Sequence, residues 1–108
     1  MDIQMKKGLL EVCVLASIKF DESYGYRIVK DLQPFVEISE STLYPILRRL
    51  EEGGLLTVRS SEHNGRLRKY YCITAEGQRR IAEFAEEWKE MQTVYQYVTR
   101  EETHDEES

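Results

Sequence analysis

The sequence predicts a mostly α-helical fold with a small β-hairpin (α+β), and three features carry that prediction. Through residues 39–56, Leu43, Ile46, Leu47 and Leu50 step i, i+3, i+4, i+7, the spacing of a helix that buries one face. An Asn64-Gly65 pair stands between two strand-like runs, which is the chemistry of a tight hairpin. From Ile81 to Val98 large apolar residues repeat every three or four positions, the pattern of one long terminal helix.

The first helix is expected over residues 5–18. It is apolar nearly all round from Leu9 onward, which implies burial on more than one side. Lys6-Lys7 ahead of this run gives a superficial likeness to a signal peptide. Glu11 interrupts the run, no A-x-A site follows, and the run is too short to span a bilayer, so it reads as a buried helix. Polar residues 19–23 lead to a second helix over 24–32, with Ser23 as its cap and Ile28, Val29 and Leu32 facing inward. Pro34 ends it.

The third helix follows. Ser39 is a suitable N-cap, its side-chain oxygen accepting from an amide of the first turn, and Gly53-Gly54 supplies a left-handed stop. At about 100° per residue, Ser41, Pro45, Arg48 and Glu52 fall opposite the apolar side, with Tyr44 and Arg49 on the flanks. Pro45 lies beyond the first turn and removes one helical backbone bond, a cost tolerable only where the face is not packed against protein. That front meets either solvent or a partner.

Strands are expected over residues 55–60 and 67–73, with 61–66 as the turn between them. The two-residue period puts Arg66 and Arg68 on one face and Leu67, Tyr71 and Ile73 on the other. Thr74 caps the last helix, with Glu76 in the first turn where the helix dipole favours an anion. Beyond it Ile81, Phe84, Trp88, Met91, Tyr95 and Val98 step by 3, 4, 3, 4, 3. This stripe predicts a homodimer, the alternative being burial against the chain's own domain. The organisation expected is therefore residues 1–74 as a winged helix-turn-helix DNA-binding unit, 75–100 as a dimerisation helix, and 101–108 as an acidic, disordered tail.

Charge is unevenly spread. The net charge is −5, yet residues 1–75 hold eleven Lys/Arg against ten Asp/Glu, while residues 76–108 hold four against ten. Between Arg59 and Tyr71 there are four basic residues, Arg59, Arg66, Arg68 and Lys69, against Glu62 alone. A basic hairpin directly after a capped amphipathic helix fits duplex DNA: the helix suits a major groove, where Arg48 can bond a guanine edge, and the hairpin reaches the flanking backbone or minor groove. A protein-interaction module built from the same helix and hairpin is the alternative.

Cys13 and Cys72 sit inside apolar runs and read as small core residues without a disulfide, which suits a cytoplasmic chain. Enzyme signatures are thin. His63 falls in the predicted turn and His104 in the tail, no Cys or His pair has metal-ligand spacing, no phosphate-binding glycine loop occurs, and Ser39 and Ser41 have no histidine nearby in sequence. No catalytic residue, metal or cofactor is expected.

Two runs stand out, Thr42-Leu43-Tyr44-Pro45-Ile46-Leu47-Arg48-Arg49-Leu50-Glu51-Glu52-Gly53-Gly54-Leu55 and Gly65-Arg66-Leu67-Arg68-Lys69-Tyr70-Tyr71-Cys72-Ile73-Thr74 with Gly77. On these the chain resembles the PadR-like transcriptional regulators over nearly its whole length. Tyr24-Gly25-Tyr26, opening helix two, is a weaker match. The resemblance implies a dimer made by the last helix with help from the first, and repression relieved by an effector. By position it implies DNA contacts at Tyr24, Gly25, Ser41, Thr42, Tyr44, Pro45, Arg48, Arg66, Arg68 and Lys69. Leu67 stands where proline is frequent. The short C-terminal part resembles the small subgroup with a single final helix, some members of which hold flat hydrophobic ligands between aromatic residues at the dimer interface. Trp88 occupies such a position, where interface packing is the alternative role.

Overall fold

The computed structural model describes residues 3–102, with side chains from residue 7 onward. Its elements run α1 (Ile3–Ser17), α2 (Gly25–Leu32), α3 (Glu40–Glu52), β1 (Leu56–His63), β2 (Arg66–Ile73) and α4 (Ala75–Val98). This is the expected α+β architecture: three helices, a two-stranded antiparallel sheet and a long terminal helix. Of the acidic tail, Glu101 and Glu102 lie outside helix and strand, and the expectation for residues 103–108, His104 included, falls outside the described residues.

The core sits where α1, α2, α3 and the base of the hairpin meet. Leu15 and Val14 from α1, Ile28 from α2, Leu43, Leu47 and Leu50 from α3 and Leu56 from β1 are all but fully buried. Removing each such side chain from water contributes about 1.5–3 kcal/mol. The four apolar residues predicted to face inward from α3 are its buried residues. Ser39 caps it, its Oγ accepting from the Thr42 amide at 3.3 Å. At the other end Gly54, not Gly53, takes the left-handed conformation, at φ +78° against −83°. The Gly54 amide donates to the Glu51 carbonyl and the Leu55 amide to the Leu50 carbonyl, the paired bonds of a Schellman stop.

Three sequence expectations are corrected. Ser23 does not cap α2. Its amide and carbonyl bond instead to Tyr71 of β2, at 3.1 and 2.7 Å, and the N-cap is Tyr24, which makes no side-chain capping bond. Two backbone bonds that dock the hairpin beside the start of α2 thus stand in place of one capping bond. The strands are longer than predicted. Ser61, Glu62 and His63 pair with Arg68, Leu67 and Arg66, so the turn is only Asn64-Gly65, both at positive φ (53° and 79°). Leu67 shares a strand face with Tyr71 but is 79 % exposed, because the hairpin extends past the core that buries Tyr71. Cys72 likewise is exposed rather than a core residue, and Cys13 is half-buried, its thiol pKa raised by that burial.

Helix α4 is anchored at its root. Thr74 accepts from the Gly77 amide at 3.1 Å, as the sequence predicts, and its hydroxyl donates to the Gly54 carbonyl at 2.7 Å. A Cβ on Gly77 would overlap the Leu55 carbonyl oxygen and lie 2.6 Å from Ile73 Cγ1, so only glycine lets α4 leave the hairpin this closely. Ile81 packs on the core and Phe84 is half-buried. From there outward every residue is exposed, with Trp88 at 48 % and Val98 at 69 %. The chain's own domain therefore covers the stripe only at its start.

Candidate nucleic-acid interface

The outward face of α3 follows from its inward one. Because Leu43, Ile46, Leu47 and Leu50 are committed to the core, Ser41, Thr42, Tyr44, Pro45 and Arg48 are all exposed. Arg48 has no ion pair or side-chain hydrogen bond among the described residues, so its guanidinium keeps all five donors for something else. Arg49, by contrast, turns back to α1, its Nε donating to Glu11 Oε2 at 3.2 Å. At the helix start the Ser39 hydroxyl lies 3.0 Å from the Ser41 hydroxyl and 3.2 Å from that of Thr42, a cluster that can exchange donors and acceptors with an incoming polar edge.

Tyr44 closes α3 onto α2. Its hydroxyl donates to Glu40 Oε1 at 3.2 Å, and burial together with this bond to a carboxylate raises its pKa. Gly25 is buried beneath the ring: a Cβ there would lie 2.9 Å from Tyr44 Cζ and still closer to the hydroxyl oxygen. The glycine thus makes room for the tyrosine.

The hairpin is held by a ladder of aromatic and guanidinium groups. Arg68 lies 4.0 Å over the Tyr24 ring, Tyr24 meets Tyr70 edge-on at 5.8 Å, and Arg59 lies 4.7 Å over Tyr70. Arg59 also ion-pairs with Glu22, whose carboxyl pKa is lowered by the hydrogen bond from that guanidinium. Sequence reasoning counted Arg59 among the basic residues of the hairpin. Its charge is in fact answered within the fold, so three cations remain.

Those three, Arg66, Arg68 and Lys69, line an open groove of about 800 Å³ between the hairpin and the start of α2 and α3, with Tyr24, Gly25 and Tyr44 on the opposite wall. Glu40 is the one acidic side chain among its lining residues. Of the ten residues assigned to DNA by sequence, Tyr24, Gly25, Tyr44, Arg66, Arg68 and Lys69 line this groove. Ser41, Thr42, Pro45 and Arg48 continue along the exposed face of α3. Tyr26, His63, Asn64 and Leu67 also line the groove without having been singled out. The two-residue spacing of Arg68 and Tyr70, which puts both on one face of β2, was the available signal for the ladder, but its partner Tyr24 could not be paired with it from sequence.

Trp88 lies outside this region, on α4, stacked on Phe84 with ring centroids 6.0 Å apart. Among the described residues no helix is long and apolar enough to cross a membrane.

The chain is similar to several solved structures. A PadR-like transcriptional regulator from Bacillus cereus is 34 % identical, with 92 % of this chain and 99 % of that one covered at a TM-score of 0.78. A PadR family regulator from Eggerthella lenta is 33 % identical, with 92 % and 89 % covered at 0.78. Bacillus subtilis PadR, solved in complex with operator DNA, shares the fold at 20 % identity and a TM-score of 0.64, with 90 % of this chain and 50 % of that one covered. No curated protein matches the sequence at comparable strength. The family model for the transcriptional regulator PadR-like family matches residues 14–83, and the chain belongs to that family.

Proposed function

We propose that the chain is a cytoplasmic, dimeric, sequence-specific DNA-binding regulator, a repressor relieved by a small hydrophobic or aromatic effector. Residues 1–74 form the reading unit and residues 75–100 join two copies through Ile81, Phe84, Trp88, Met91, Tyr95 and Val98. The observation that carries the reading is the uncovered front of α3 lying beside a groove lined by Arg66, Arg68 and Lys69, which form no ion pair among the described residues, with Glu40 as its one acidic lining residue.

In this reading α3 enters the major groove. Arg48 reaches a guanine edge in bidentate fashion, and Ser41, Thr42, Tyr44 and Pro45 contact bases or phosphates along the same face. The start of α2, which lacks a capping side chain, offers its first-turn amides, that of Gly25 included, to a phosphate beside Tyr24. Arg66, Arg68 and Lys69 take the flanking backbone or minor groove. Two-fold symmetry then sets inverted half-sites one helical turn, about 34–36 Å, or a multiple apart.

A gel shift with the DNA upstream of the chain's own gene, against random DNA of equal length, tests the reading. A retarded complex on the upstream DNA that random DNA does not compete away is expected. Equal or absent binding to both leaves the protein-interaction module in its place. For the effector, planar hydrophobic compounds that quench Trp88 fluorescence are expected to release the DNA as well. Quenching without release assigns Trp88 to interface packing.

A further inference from the structure

Glu11 is the acidic residue that interrupts the apolar run of α1, and its side chain is only 18 % exposed. Its two carboxylate oxygens serve two different helices. Oε2 accepts from Arg49 Nε of α3 at 3.2 Å, and Oε1 accepts from Arg80 Nη2 of α4 at 3.3 Å. Each partner sits beside a functional surface: Arg49 follows Arg48 on the reading helix, and Arg80 precedes Ile81, where the apolar stripe begins. The other ion pairs among the described residues lie within α2, within α4, or between the α1–α2 connector and β1.

We infer that Glu11 is a positioning residue that fixes the angle between α3 and α4, and through it the spacing and phase at which a dimer presents its two reading helices. The inference rests on the dimeric DNA-binding function proposed above.

The geometry makes one carboxylate sufficient. Thr74 pins the root of α4 to the Gly54 carbonyl, and Arg80 ties the helix to Glu11 six residues further on, roughly 9 Å along the axis. Two fixed points define a direction. From Thr74 to Val98 the helix is roughly 36 Å long, so a tilt of about 10° at the root moves the tip by about 6 Å. One base pair of spacer changes the separation of half-sites by about 3.4 Å and their phase by about 34°. Apolar burial is non-directional and names no single angle. A mostly buried carboxylate shared by two guanidiniums does, because releasing either partner leaves charge without its counter-ion.

The test uses the full chain and a palindrome selected by it from random duplex DNA, remade with its spacer lengthened or shortened by one and two base pairs. The wild type is expected to lose at least about 10-fold in affinity per base pair of change. Glu11→Gln keeps the side-chain shape and removes the charge, and Arg80→Gln removes only the link to α4. Both are expected to bind all spacers within about 3-fold of one another. Arg79→Gln, which loses only the ion pair to Glu76 on the same helix, is expected to keep the wild-type dependence. Folding is checked by circular dichroism, and Arg80→Gln carries the test if Glu11→Gln is unfolded. Folded Glu11→Gln and Arg80→Gln proteins with the wild-type spacer dependence overturn the inference and leave the DNA reading intact. A wild type that selects no palindrome ends the dimeric DNA reading and this inference together.

Discussion

The outward face of α3 and the distal half of α4 are both left uncovered by the chain's own fold, and they differ in polarity. The first carries hydroxyls, a tyrosine and a guanidinium that is unpaired among the described residues, and it borders three further cations. The second carries Trp88, Met91, Val94, Tyr95 and Val98, all exposed, on a helix rich in glutamate. A hydrated polar face is cheap to leave in water, whereas a run of large apolar side chains is not. The contrast teaches that two uncovered surfaces on one molecule call for partners of opposite kind. One suits a polyanion and the other an apolar copy of itself, and the acidic excess of residues 76–102 lies with the second.

Salt separates the two most sharply. If a dimer neutralises roughly 6–10 phosphates, DNA affinity is expected to fall by about 10³–10⁵ between 50 and 200 mM salt, while sedimentation shows the dimer unchanged, because apolar burial releases no condensed counterions. A dimer that also dissociates with salt would erase the contrast. Next in size, Trp88→Ala combined with Tyr95→Ala is expected to weaken dimerisation roughly 10³-fold, at ~1 kcal/mol for each of the four aromatics that the change removes from a two-fold interface. The thermal unfolding of the reading unit is expected to stay close to that of the wild type, since neither side chain is in the core. A chain that stays dimeric at micromolar concentration would move the interface elsewhere.

The smallest effects divide the polar surface itself. Arg48→Ala is expected to cost ~1–3 kcal/mol on a selected operator and far less on random DNA, which assigns it a base. Arg68→Ala is expected to weaken both equally and to lower the salt slope by about 1. Arg68→Lys sharpens this further. It keeps the charge but loses the planar stack on Tyr24, so a loss as large as that of alanine means that Arg68 serves chiefly to aim the hairpin.

Much of this surface was legible in the sequence, for local reasons. The two faces of α3, the Ser39 and Thr74 caps, the Asn64-Gly65 turn and the stripe from Ile81 to Val98 each depend on residues within a few positions of one another. What escaped was decided by partners far along the chain. Ser23 looked like a cap until Tyr71 claimed its backbone, and Arg59 looked like a free cation until Glu22 answered it. Cys72 looked buried because an apolar run in sequence says nothing about how far the core beneath the strand extends.

Helix and strand periodicity, capping and turn chemistry are short-range properties, so the sequence alone determined which segments are helices or strands and which side of each is apolar. The tertiary structure alone decided that Glu11 joins residues 38 and 69 positions away, that Gly25 gives way to Tyr44, and that the chain's own core covers Ile81 but not Val98. Such pairings are set by the summed packing of the whole core, to which no single stretch of sequence contributes enough to reveal the outcome.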